Sequence, residues 1–231
     1  MRRKTDFYLA AATLLMAAVL PVFLSRVAYG PESEIEQLIQ ILGVKPDSSV
    51  ADVGAGSGEI SIAIAARVPY GIVYSTEINP ALLDKIRTDA RKAGMNNIIP
   101  VMGKEHDTEL PSQCCDAIFL REVYHHLTEP AGMDRSLYRA LRPGARLAII
   151  DFEPINGTQP PMGVPTNRGG HGVPKRIVVQ ELTRAGLEHV KTMDWPISRG
   201  IRYYCILFRK PTFPLSQDAT IPLDLNSEER P

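Results

Sequence analysis

From residue 31 onward the apolar positions switch repeatedly between helical and extended spacing. Ile35, Leu38, Ile39 and Leu42 fall on one helical face, which predicts an amphipathic helix over residues 31–43. Residues 49–53 form a short apolar run suited to a buried strand, and residues 59–67 return to helical spacing. A strand over 71–76 comes next. A helix over 80–93 follows it, opened by Asn79-Pro80 and stopped by Gly94. Residues 98–102, 117–120 and 145–152 predict further strands, and 133–141 and 175–185 further helices. Residues 188–194 and 201–208 close the pattern as an antiparallel pair. This βαβα order predicts an α/β fold: a Rossmann-like, doubly wound, mainly parallel sheet with an antiparallel C-terminal strand and helices on both faces.

Three segments stand outside the alternation. The chain opens with Arg2, Arg3 and Lys4, followed by an uncharged run over residues 7–24. As a helix this run would reach ~27 Å, about the hydrocarbon thickness of a thin bilayer. Residues 1–30 are therefore expected to be a signal anchor or signal peptide, with a membrane as partner through residues 7–24. Ala28-Tyr29-Gly30 has a small-x-small cleavage pattern, but Pro31 just after it disfavours the cut, so an uncleaved anchor is favoured. Basic residues precede the run and Glu32, Glu34 and Glu36 follow it. The positive-inside rule then places the main domain outside the cytosol. Residues 154–174 hold Pro154, Pro160, Pro161, Pro165 and Pro174 among five glycines, and read as a long loop. It leaves a parallel strand at the carboxyl edge of the sheet, where such loops act as lids. Residues 211–231 read as a disordered tail, which leaves residues 31–210 as the domain.

Composition narrows the classes. Lys+Arg and Asp+Glu are both 26 in 231 residues, so a general nucleic-acid binder, normally basic, is not expected. Hydrophobic residues at 44% and charged residues at 23% suit a globular chain. Cys114, Cys115 and Cys205 are too few for a disulfide scaffold and lack zinc spacing. His125, His126 and His171 have no carboxylate at metal-site spacing, and no metal is expected.

The most informative segment is Asp52-Val53-Gly54-Ala55-Gly56-Ser57-Gly58, where a strand enters a glycine loop and a helix leaves it. Gly54 permits a tight turn, Gly56 lets a ligand approach the backbone, and Gly58 allows close packing of the helix on the strand. A dinucleotide loop would need a glycine at Glu59, where an anionic side chain instead sits at the helix start. Glu77 ends the next strand, placed to accept hydrogen bonds from ribose hydroxyls.

With these residues the chain resembles the class I S-adenosylmethionine (SAM) dependent methyltransferases. VADVGAGSG is similar to their first motif, Asp116-Ala117-Ile118-Phe119 to their fourth strand, and Leu141-Arg142-Pro143-Gly144 to the turn before their fifth. The resemblance implies SAM as cofactor. Asp52 would hold its amino-acid end, Gly54, Ala55, Gly56 and Gly58 would make room for it, Glu77 would hold the ribose, and Ile78 would lie against the adenine. Many relatives carry Gly-Asp after the third strand, the Asp bonding the adenine amino group, whereas here Gly103 precedes Lys104 at that cofactor position; Glu105 or Asp107 could substitute, or a backbone carbonyl could serve. Arg121 could contact SAM or anchor Glu122.

The fourth strand leads into Tyr124-His125-His126, which resembles a YHH motif of a methyltransferase subgroup with N-terminal leaders; that subgroup's Leu-Pro pair is here Leu110-Pro111. His125, His126 and Tyr124, with His171 of the long loop, are the candidate catalytic residues, since histidine titrates where a general base is useful. Of these, Tyr124 reads as a packing residue or site wall sooner than as a catalyst. The resemblance implies methyl transfer from SAM to an oxygen or nitrogen of a small molecule. The alternative is a non-catalytic SAM-binding or interaction protein that reuses the fold.

Overall fold

The computed structural model describes residues 31–196 and 200–212, with the side chains of Pro31 and Glu32 excepted. The anchor expected over residues 1–30 lies outside the described residues, as does the expected tail beyond residue 212. Among the described residues no helix is long and apolar enough to cross a membrane.

Helix α1 (Pro31–Leu42) leads into β1 (Ser49–Val53), α2 (Glu59–Ala65), β2 (Ile72–Glu77), α3 (Pro80–Lys92), β3 (Ile98–Met102) and β4 (Cys115–Arg121). A short 3-10 turn over Tyr124–His126 follows. Then come α4 (Pro130–Ala140), β5 (Leu141–Phe152), α5 (Lys175–Arg184), β6 (Glu188–Trp195) and β7 (Tyr203–Arg209). The strands form one sheet in the order β3-β2-β1-β4-β5-β7-β6. All neighbours are parallel except β7, which runs antiparallel to both β5 and β6. Pro100, which has no amide hydrogen to donate, is tolerated because β3 is an edge strand.

The apolar periodicities become two packed layers. On one face Ile35, Leu38 and Leu42 of α1 and Ile64 of α2 pack with Val50, Phe119 and Ile150. On the other, Met133 and Leu137 of α4 and Ile177, Val178 and Leu182 of α5 pack with Ile118, Leu147 and Ile149. Two boundaries shift from the sequence expectation. Helix α4 begins at Pro130, because a proline with preset φ starts a helix before any apolar period is visible. Strand β5 begins at Leu141, which pairs with Cys115 across an irregularity in the β4–β5 register.

The strand order reverses between β1 and β4. Their carboxyl ends therefore open a crevice, the usual ligand position in such sheets.

Residues 154–174 are less free than a structureless lid. They include a 3-10 turn over Thr166–Arg168. The Ile155 amide donates to the His171 carbonyl at 2.9 Å, and the His171 amide donates to Thr158 Oγ1 at 2.7 Å. Arg168 is fully buried and pairs with Glu181 of α5 at 2.7 Å, which pins the loop's middle to the domain.

Candidate cofactor and acceptor site

Each loop glycine answers a different steric demand. All three have positive φ: 75° at Gly54, 55° at Gly56 and 82° at Gly58. A Cβ on Gly54 would lie 2.5 Å from Val123 Cγ2, and one on Gly58 would lie 2.7 Å from Ile86 Cγ1. Gly58 thus permits close approach to α3, not to a strand. A Cβ on Gly56 would meet nothing within 4 Å, so this residue faces open space. The loop is tied to β2 by the Gly54 and Ala55 amides, both donating to the Thr76 carbonyl at 2.9 Å.

Glu77 closes the loop from the other side. Its Oε2 accepts the Gly56 amide at 3.0 Å, and its Oε1 accepts the Ile78 and Asn79 amides at 2.8 and 3.0 Å. Two carboxylate oxygens offer about four acceptor positions, so capacity remains for a ligand hydroxyl. Ile78 is 57% exposed, a large apolar side chain left uncovered beside this carboxylate. Gly54, Thr76, Glu77, Ile78, Gly103 and Lys104 line a cavity of about 300 Å³, and its lining also includes Val123, His126, Thr128 and Met133.

The groups after β3 are largely engaged. Lys104 pairs with Glu109 at 2.6 Å. Asp107 accepts from Arg139, Ser136 and the Glu109 amide. Glu105 accepts from Thr128 Oγ1 at 3.2 Å. All but Glu109, Arg139 and Ser136 border the cavity.

Beneath the loop, Asp52 is buried and accepts from Ser61 Oγ at 2.7 Å. Burial raises its pKa to about 7, against the lowering effect of the Ser61 bond and of Arg121. Arg121 binds Glu34 of α1 through Nε at 2.7 Å and Glu122 through a second nitrogen at 2.9 Å. Trp195 Nε1 donates to the same Glu34 oxygen at 2.9 Å. Arg121 therefore fastens α1 over the sheet edge, and it does not line the cavity. At the exit of β4, Glu122 adopts φ 59°, a left-handed conformation fixed by its amide donating to the Ile150 carbonyl at 2.8 Å.

That sharp exit separates the three residues of the following turn. Tyr124 is fully buried, its hydroxyl within 2.9 Å of Asp134 and 3.0 Å of Glu181. Arg168 stacks 5.2 Å from its ring centroid. The candidate catalytic Tyr124 is thus a core residue joining α4, α5 and the long loop, with a pKa held well above the usual value by burial. Asp134, buried beside it, is raised to about 7 by burial.

His125 is also buried. Its Nδ1 lies 2.8 Å from Asp151 Oδ1, and its amide donates to Asp151 Oδ2 at 3.1 Å. A carboxylate only accepts, so Nδ1 carries the hydrogen and Nε2 keeps its lone pair in the neutral ring. His126 reaches the cavity, its pKa lowered by partial desolvation of the ring and by its neighbours His125 and His171. The loop brings His171 against both, with ring centroids 4.9 Å from His125 and 6.0 Å from His126.

Asp151 was missed in the sequence, as were Glu34 and Val123. A charged residue near the end of an otherwise apolar strand was the available signal for Asp151. Nothing local pointed to Glu34. Cys114 and Cys115 have sulfurs 3.0 Å apart and, like Cys205, are free thiols.

Residues 51–149, which contain the loop, Glu77 and the histidine turn, match the family model described as "Methyltransferase domain". Over this segment the chain is similar to the SAM-dependent methyltransferases. A curated relative is the ubiquinone/menaquinone biosynthesis C-methyltransferase UbiE of Vibrio cholerae, 27% identical over 116 residues, 49% of this chain and 45% of the relative. The counterpart from Vibrio vulnificus is 28% identical over the same length. The chain thus matches less than half the length of these relatives. A SAM-dependent methyltransferase from Aquifex aeolicus has the same fold, with a TM-score of 0.62 and 24% identity over 76% of this chain and 89% of that one. The [4+2]-cyclase SpnF superposes with a TM-score of 0.66 at 15% identity over 79% of this chain and 82% of that one. The open Gly56, the Glu77 carboxylate and exposed Ile78 fit SAM: a backbone cradle, a hydroxyl acceptor and an apolar surface for a base.

Proposed function

We propose that the protein transfers the methyl group of SAM to an oxygen or nitrogen nucleophile of a small molecule. One juxtaposition supports this reading: Gly54 and Glu77 of the SAM cradle and His126 line the same cavity. SAM supplies an activated, electron-poor methyl group, so the protein's task is alignment and the exclusion of water. Glu77 holds the ribose, Ile78 the adenine, and Asp52 faces the amino-acid end. His126 stands where it can accept a proton from the acceptor as the new bond forms, and the Asp151–His125 pair beside it fixes the turn that presents it. The carboxylates near the adenine side already have partners. Backbone groups at Gly103 and Lys104 are therefore the better adenine contacts.

The names of the Vibrio relatives favour a carbon acceptor as a second reading. The cyclase neighbour favours a third, in which the fold serves a role other than methyl transfer. Two measurements on one preparation separate them. Calorimetry with SAM and S-adenosylhomocysteine tests the cradle, and transfer of labelled methyl from SAM to candidate acceptors tests the reaction. A folded chain that binds neither compound sinks the first reading, and one that binds SAM with no transfer supports the third.

We further propose that residues 7–24 anchor the protein in a membrane, with the domain on the side opposite the basic N-terminus. The charge distribution supports this orientation. Reporter fusions on either side of the segment test it, and a domain reporting from the cytosol overturns it.

A further inference from the structure

The three histidines gathered behind the cavity carry more than a candidate base. Each offers a ring nitrogen, and these nitrogens all lie within 4.8 Å of one another. The His125 and His126 rings are packed at 4.0 Å between centroids. Among the described residues, neither the His126 ring nor the His171 ring has a hydrogen-bond partner, so their nitrogen lone pairs are uncommitted. His125 has the opposite arrangement: buried Asp151 takes its Nδ1 hydrogen, which directs Nε2 away from the carboxylate. A carboxylate behind an imidazole is the usual orienting partner of a metal-ligating histidine. It was not visible in the sequence because Asp151 comes from β5, a strand brought beside β4 only by folding.

We propose that His125, His126 and His171 form a three-imidazole site for a divalent transition-metal ion. Nitrogens bound to one tetrahedral ion sit ~3.4 Å apart, given metal–nitrogen bonds of ~2.0–2.1 Å. The cluster needs only a modest contraction to reach this. His126 and His171 are not buried and have room to turn, while buried His125 is the fixed member. An all-imidazole donor set selects ions such as Zn²⁺, Fe²⁺, Co²⁺ or Ni²⁺ over Mg²⁺ and Ca²⁺, which take oxygen ligands. Three protein ligands leave a position open, and His126 places the ion at the border of the cavity. There the ion, in place of a His126 base, would hold an acceptor oxygen and favour its deprotonated form, a consequence that rests on the methyl-transfer reading; metal binding itself does not.

The test uses the full chain purified in detergent, stripped by chelator and titrated with Co²⁺ while visible absorption is followed. The expected result is one Co²⁺ per chain, ligand-field bands without a thiolate charge-transfer band, displacement by Zn²⁺, and at least tenfold weaker binding in both His126→Ala and His171→Ala. Circular dichroism checks folding, and if an alanine variant fails to fold, the glutamine variant at that position carries the same expectation. Absence of stoichiometric Co²⁺ binding by the wild type overturns the proposal. So does undiminished binding in both variants, or a thiolate band that persists in them. Calorimetry with SAM on the same preparation reports separately on the cofactor cradle.

Discussion

Glu77 reaches back from the end of β2 to accept the Gly56 amide at 3.0 Å, so one carboxylate both shapes the glycine loop and borders the cavity. Its removal acts twice. Glu77→Ala should weaken SAM binding by about 1.5–3 kcal/mol through the lost acceptor, and should also lower thermal stability as the loop amides lose their partner. Calorimetry and thermal melts read the two effects separately. Unchanged SAM affinity in the folded variant would remove Glu77 from the cofactor site.

The loop glycines should separate in the same way. Gly54→Ala drives a Cβ into Val123 at a positive φ and should cost about 1–3 kcal/mol of stability. Gly56→Ala has open space around its Cβ and should cost only about 1 kcal/mol, from backbone conformation, while reducing SAM affinity. Denaturant unfolding and ligand titration of both variants check this. Equal stability losses with equal affinities contradict the assigned roles.

Asp52 predicts a pH dependence. Its pKa rises from 3.8 when unfolded to about 7 in the fold, so the native state holds the extra proton between these values. Its contribution to stability is complete below 3.8 and is lost as pH rises through about 7. Asp52→Asn should therefore lose less stability than the wild type between pH 5 and pH 8. Parallel stability curves would show that Asp52 is not the group responsible. Asp134 follows the same sign and remains in both proteins, so the difference between the curves isolates Asp52.

The adjacent histidines should behave differently on truncation. His126→Ala should lower methyl-transfer turnover about 10²–10⁴-fold with SAM affinity nearly intact. His125→Ala leaves the buried Asp151 carboxylate without its side-chain partner and should cost about 3–5 kcal/mol of stability. Single-turnover kinetics and chemical unfolding distinguish the two. A His126→Ala enzyme with full turnover would show that the acceptor needs no base from this residue.

Arg168 should prove structural despite its place in the long loop. Its guanidinium is buried against Glu181 and the Tyr124 ring, so Arg168→Ala leaves Glu181 without that ion-pair partner and should lower the melting temperature sharply. If stability is unchanged, the loop is held by other contacts.

The sequence by itself determined the sheet, the glycine loop and Glu77. Strand and helix periods are local, and a loop that needs positive φ at three places announces itself in glycine. It could not settle Tyr124, His125 and His126, which are consecutive in the chain but lie in a core network, a buried carboxylate pair and a cavity wall. Only the sharp turn at Glu122 and the packing of α4, α5 and β5 around it decide which side chain goes where. The sequence leaves Arg121 open between SAM and Glu122; in the fold it binds Glu122 and also Glu34, some ninety positions earlier in the chain. Asp151 and His171 likewise join His125 from β5 and the long loop. Contacts between segments far apart in the chain leave no periodic trace in it, because they are set by the order in which strands lie side by side. The cradle was legible because its residues follow one another through one loop and one strand end; the histidine cluster belongs to the tertiary structure, which alone brings three segments to one point.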